Sequence, residues 1–104
     1  MKPIDYRNET WDSLQERLRG LRLAAWEAWQ RHGPGTTREV AQRCGMDLLT
    51  FRPRTTELYQ MGFLVCLDTD AQYEGVYQAQ PMEAIRATFE RERAAAVQPE
   101  LALT

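Results

Sequence analysis

The stretch 36–65, "TTREVAQRCGMDLLTFRPRTTELYQMGFLV", decides how the rest of the chain is read. It holds two short helical patterns separated by a tight turn, and an apolar, strand-like run follows. Thr36-x-x-Glu39 is a capping box, in which the hydroxyl and the carboxylate each satisfy a backbone N–H left free at a helix start. Val40, Ala41 and Cys44 form the inner face of that helix. Ala41 permits a close crossing by the next helix, and Gly45, four residues on, accepts the positive φ of a tight turn. The second helix is positioned by Pro53, because proline is tolerated in a first turn, where its missing N–H has no helical partner. With Thr50 as N-cap, that helix is expected over 51–61, with Phe51, Thr55, Leu58 and Met61 sharing one face. Gly62 is its C-terminal stop. Arg52, Arg54, Thr56 and Tyr59 fall on or near the outward side.

Working outward, residues 1–9 show no period and read as a loose arm. From Thr10, Trp11, Leu14, Leu18, Leu21, Ala25 and Ala28 recur at helical steps, which predicts a helix over 11–32. Thr10 can cap it, Ser13 with Glu16 offers a second capping box, and Gly20 admits a kink or a break into two helices. Trp26 and Trp29 extend the apolar stripe to one side. The "HGPG" at 32–35 ends the helix, with a glycine placed for a left-handed cap. After Gly62 the period changes: "FLVCL" and "GVYQA", joined by a polar loop, predict a β-hairpin over 63–79. Residues 81–97 form a last helix with Met82, Ile85 and Phe89 on one face, and 98–104 are an expected frayed tail.

One domain fits 104 residues, and 43% apolar with 27% charged residues is ordinary globular composition. No apolar run approaches about 18 residues, so no membrane span is expected. The first ten residues lack an apolar signal-peptide core, and a cytoplasmic location is expected. Cys44 and Cys66 have neither CxxC nor Cys/His ligand spacing and read as two reduced thiols of the core. A net charge of −2 argues against attachment to nucleic acid by bulk charge. Its distribution says more: 36–45 and 50–62 each carry +1, whereas 65–77 carry −3.

The order helix, helix, tight turn, helix, β-hairpin resembles the winged helix-turn-helix domain over roughly residues 21–80. "TTREVAQRCGM" carries the helix-turn-helix spacing of Ala41 and Gly45. "FRPRTTELYQMGFLV" resembles the recognition helix of small bacterial and phage winged-helix proteins, ending at Gly-Phe-Leu on the first wing strand. The resemblance implies a mainly α fold with a small antiparallel β-hairpin, extended by extra N- and C-terminal helices. It further implies that Thr50, Arg52, Arg54, Thr55 and Thr56 face double-stranded DNA in the major groove. Thr37 and Arg38 would meet phosphate at the second helix's start, and Arg43 is a further candidate. The sequence departs from the family at the wing tip, where Asp68, Asp70 and Glu74 replace the usual basic residues, and carboxylates there oppose phosphate. Thr55 also stands where an aliphatic residue is common.

For Arg52 and Arg54, the alternative to DNA contact is pairing with Glu57 or Asp47. For the three tryptophans, core packing outweighs any ligand role, with Trp11 the candidate for a dimer contact. Asp68, Asp70 and Glu74 lack the calcium-loop pattern. No phosphate loop, nucleophile motif or paired-carboxylate arrangement is present, so no enzyme activity, metal, cofactor or small-molecule ligand is expected. The terminal helices carry apolar stripes beyond the needs of a minimal core. They can close on each other within one chain, or pair across a two-fold axis through Trp11, Leu14, Leu18, Ile85 and Phe89 as a homodimer. The leading expectation is a small transcriptional regulator or phage-type accessory protein that binds DNA. The alternative is a protein-interaction module with the same architecture.

Overall fold

The computed structural model describes residues 9–69 and 74–97. Along the chain run α1 (Trp11–Glu16), α2 (Gly20–His32), β1 (Gly35–Thr36), α3 (Thr37–Cys44), α4 (Leu48–Gln60), β2 (Leu64–Thr69), β3 (Gly75–Ala79) and α5 (Met82–Val97). The architecture is mainly helical, with one antiparallel three-stranded sheet in the order β1-β3-β2. None of the described helices is long and apolar enough to cross a membrane. The expected arm at residues 1–8, the loop residues Asp70, Ala71, Gln72 and Tyr73, and the tail 98–104 lie outside the described residues.

The long helix expected over 11–32 is two helices, broken where Gly20 takes φ 54°. Thr10 caps α1 with Ser13 as its capping-box partner. Beside the break Leu21, assigned to the inner stripe from sequence, is exposed, while Ala25 and Ala28 of that stripe are buried as expected, with Trp26 and Trp29 beside them. Both of those tryptophans therefore sit in the core. Trp26 meets Phe63 edge-on at 5.0 Å, and Trp29 stacks on Phe51 at 5.9 Å between ring centres. Gly33 ends α2 with φ −77°, not left-handed as expected. What excludes a side chain there is space, since a Cβ would lie 2.7 Å from the Trp29 carbonyl oxygen.

The capping box at Thr36 and Glu39 forms as read, and Val40 and Ala41 are buried beneath it. Gly45 and Gly62 close α3 and α4 in the same way, at φ 75° and 83°. Each helix ends on paired bonds, Met46 N–H to the Ala41 carbonyl and Phe63 N–H to the Leu58 carbonyl. Only a residue free of Cβ strain holds that left-handed position cheaply.

The start of α4 differs from expectation. Asp47, not Thr50, is the N-cap, its carboxylate accepting from the Thr50 N–H at 3.1 Å. The helix therefore begins one turn earlier, and Pro53 is its sixth residue rather than a first-turn one. Proline cannot donate to the carbonyl four residues back, that of Leu49. This happens on a turn whose Leu49 side chain is 80% exposed, where water can serve that oxygen.

Two features of the sheet escaped the sequence. The two-residue β1 pairs Gly35 with Tyr77 and Thr36 with Val76, so β3 is the central strand. A bulge between Cys66 and Asp68 interrupts the β2–β3 register and turns Leu67 outward. Cys66 is exposed on that strand and Cys44 is half-buried, so the thiols are not the pair of core groups expected.

The terminal helices close on each other inside one chain. Trp11 packs on Phe89 at 5.7 Å, and Leu14, Ile85 and Phe89 are buried with Leu18 packed against them. The face that sequence offered to a second copy is thus filled from within, because α5 supplies the apolar partner that α1 needs. Met82, expected on the same face, is exposed. Glu9, expected in a loose arm, is buried: it accepts from Arg17 Nε and Nη2, each at 2.9 Å, while its carbonyl accepts from Arg93.

Candidate functional site

Between the first turn of α3, the outward face of α4 and the start of β3 lies a cleft of ≈ 430 Å³. Thr37, Arg38, Arg52, Thr56, Tyr59, Glu74 and Tyr77 line it, with Thr55 and Gly75 contributing to its floor and rim. The local causes are simple. Arg52, Thr56 and Tyr59 follow at steps of four and three, so one face of α4 carries all three. The β1–β3 register sets Thr36 against Val76, and Thr36 is also the N-cap of α3, so the residues before Val76 come alongside that helix's first turn. Gly75 permits this closeness, because a Cβ would stand 2.9 Å from the Tyr77 hydroxyl oxygen.

The expected site residues divide into three groups. Thr37, Arg38, Arg52 and Thr56 are brought together around the cleft. Thr50 and Arg43 are exposed but do not line it. Arg43 turns toward α2, donating to the carbonyls of His32 at 2.8 Å and Pro34 at 3.0 Å. Thr55 is a correction. It is only 3% exposed, and its Oγ1 accepts from Trp29 Nε1–H at 3.0 Å. A hydroxyl spent on the indole of a core tryptophan is unavailable to a partner, and the helical face shared with Phe51 and Leu58 is the reason.

Arg54 meets the alternative weighed from sequence. Its Nε lies 2.6 Å from Glu57 Oε1. That N–H is not aimed at the oxygen, so the contact is electrostatic rather than a hydrogen bond. Arg22 of α2 donates to the other oxygen of Glu57, and its Nη1 donates to the Arg17 carbonyl at 2.8 Å. Glu57 is 4% exposed, so two guanidinium groups hold one buried carboxylate, and the one from Arg22 ties α4 to α2. The Arg52 guanidinium, two residues before that of Arg54, has no hydrogen bond or ion pair among the described residues, although the Arg52 carbonyl accepts from the Thr56 hydroxyl at 3.2 Å. Proline places the two arginines on opposite sides of one turn with opposite commitments.

Besides Gly75, three cleft residues were not assigned to the site from sequence. Tyr59 was read as outward, and its spacing from Thr56 could have joined it to the stripe. Tyr77 sits 5.4 Å from Tyr59 and 6.0 Å from Trp29, between cleft and core. Burial pushes its phenol above the ordinary tyrosine range, with Cys66 and Tyr59 adding to the effect, so it remains a neutral donor at neutral pH. Glu74 was read as part of an acidic tip; here it accepts from Arg38 Nε at 3.2 Å and Nη2 at 3.1 Å. Nothing in the sequence near either residue signals that pair, because it depends on the β1–β3 register.

Chemically the cleft offers guanidinium donors, hydroxyls and aromatic surface, and it contains no nucleophile–base pair. It is suited to holding an anion or a polar, planar group. Comparison of the sequence with models of known protein families and with curated proteins gives no match.

Proposed function

We propose that this chain is a winged helix-turn-helix DNA-binding protein in which α3 and α4 form the bihelical reader, β2 and β3 the wing, and α4 enters the major groove. The observation that carries this reading is Arg52. Its side chain projects from the outward face of the second helix after a glycine turn, and the guanidinium has no hydrogen-bond or ion-pair partner among the described residues. A guanidinium left in that position is matched to the paired acceptors of a guanine edge. Leu49, one turn earlier and highly exposed, suits a thymine methyl. Thr37 and Arg38 are placed for backbone phosphate, and Thr56 and Tyr59 for sugar–phosphate or base-edge contact. In this reading Thr55 and Arg54 support the reader from behind and do not touch DNA. A small regulator or phage-type accessory protein fits such a module.

The test is selection of bound duplexes from a random pool, followed by titration of wild type, Arg52→Ala and Arg54→Ala on the selected sequence. Loss of one bidentate base contact costs about 1–3 kcal/mol, so Arg52→Ala is expected to weaken binding by roughly tenfold or more. Equal affinity of Arg52→Ala and wild type, both folded, sinks the reading. A second reading, a protein-interaction module, draws on the exposed Leu49 and on the charge balance of the cleft, where Glu74 offsets Arg38. Failure of the wild type to bind a DNA resin at low salt would favour it.

A further inference from the structure

The geometry points to the α3 side of the cleft as a phosphate site whose occupant in the free protein is the carboxylate of Glu74. The inference rests on the DNA-binding reading and adds to it a competitor built into the chain. Arg38 directs Nε and Nη2, the same edge that a guanidinium gives to phosphate, at a single oxygen, Oε1 of Glu74. The amides of Thr37 and Arg38, the first two of α3, have no acceptor within the helix. Arg52 stands on the opposite wall, its guanidinium without a partner among the described residues. One cleft thus holds two guanidinium groups, one neutralised from within and one open.

The pair is built to exchange. The Arg38 side chain is 59% exposed and that of Glu74 32%, so the bridge lies in solvent and adds little to stability. A phosphodiester arriving at the start of α3 offers Arg38 the same bidentate geometry, and its charge repels the Glu74 carboxylate. Binding therefore requires Glu74 to give way, and that cost falls on every duplex alike, because a phosphate contact carries no sequence information. The arrangement contrasts with the Glu57 clamp, where a buried carboxylate holds its arginines permanently.

The experiment measures wild type, Glu74→Gln, Arg38→Ala and the double variant by fluorescence anisotropy on a random-sequence duplex and on the selected duplex. Glu74→Gln is expected to bind both duplexes tighter by the same factor, about three- to tenfold at low salt. That advantage should shrink as salt rises from about 50 to about 200 mM, because salt screens the repulsion between the Glu74 carboxylate and the phosphate. The gain should vanish in the Arg38→Ala background. Equal binding by wild type and Glu74→Gln, while Arg52→Ala still weakens the selected duplex, overturns the inference and leaves the DNA reading standing. If neither protein binds a duplex, the DNA reading falls and pyrophosphate decides the site by itself. A shift of the Arg38 Nε–H resonance at lower pyrophosphate concentration in Glu74→Gln than in wild type sustains an anion site held by Glu74. The same response in both, or none in either, removes it.

Discussion

The two faces of α4 are built to different rules. Inward, the polar side chains are committed within the fold: Thr55 accepts from Trp29, and Glu57 is paired with Arg22 and Arg54. The apolar groups of that face, Phe51 and Leu58, are fully buried. Outward, Leu49, Arg52, Thr56 and Tyr59 are exposed, and Arg52 is uncommitted among the described residues. Pairing on the inner face offsets the cost of burying a polar side chain; a polar side chain on the outer face is available to a second molecule. The contrast teaches that adjacent residues of like chemistry, such as Arg52 and Arg54, need separate assignments. Substitutions on the inner face should lower stability and leave DNA recognition intact while the fold persists, and those outside should do the reverse.

The largest expected effect tests the inner face. Trp29→Ala removes a buried ring that touches Phe51 and Tyr77 and strands the Thr55 hydroxyl, and should cost about 3–5 kcal/mol in denaturant titration. A loss below about 1 kcal/mol would mean that the α2–α4 interface is not the core described. Glu57→Ala comes next. It leaves two partly buried guanidinium groups facing each other, and a loss of about 2–3 kcal/mol is expected, below the full cost of breaking a buried pair because both arginines reach solvent. Recovery of stability in an Arg22→Met/Glu57→Met variant would separate lost pairing from lost packing. Thr55→Val is smaller. The shape is kept but the Trp29 N–H loses its buried acceptor, for about 1–2 kcal/mol and no change in DNA affinity. Weakened binding by a fully folded Thr55→Val would return Thr55 to the reading face.

How much of this contrast was legible in the residues can be argued from the same helix. Phe51, Thr55, Leu58 and Met61 follow helical spacing, and that spacing alone places Thr55 inward. The family resemblance places it outward, and the structure sides with the spacing. Capping chemistry was legible where it is local, at Thr10, Thr36, Gly45 and Gly62. It was misread where two caps competed: Asp47 and Thr50 are both good N-caps, and Pro53 favoured the later one although an exposed turn tolerates its missing bond. The pairing of Arg54 with Glu57 was weighed because i,i+3 neighbours are visible in sequence; the arrival of Arg22, 35 residues away, was not. Long-range geometry also hid β1, Tyr77 and the Arg38–Glu74 bridge, all of which depend on strand register. In the N-terminal stripe Ala25 and Ala28 are buried as read, and Leu21, beside the backbone break at Gly20, is not.

The smallest stability effect carries the outer face. Arg52→Ala removes an exposed side chain that has no partner among the described residues, so the unfolding midpoint should move by no more than the equivalent of about 0.5 kcal/mol. Arg54→Ala, two residues away, should exceed that, because it strips one cation from a buried carboxylate. The order of the two variants in thermal melts, without any DNA present, is a direct reading of which arginine the fold uses. If Arg52→Ala proved the more destabilising, Arg52 would have an intramolecular task, and its availability to DNA would no longer follow. With the expected order in hand, the salt dependence of binding divides the roles further. Truncating Arg38 should flatten the slope by about one unit by removing a phosphate contact, whereas truncating Arg52 should change which duplexes are preferred.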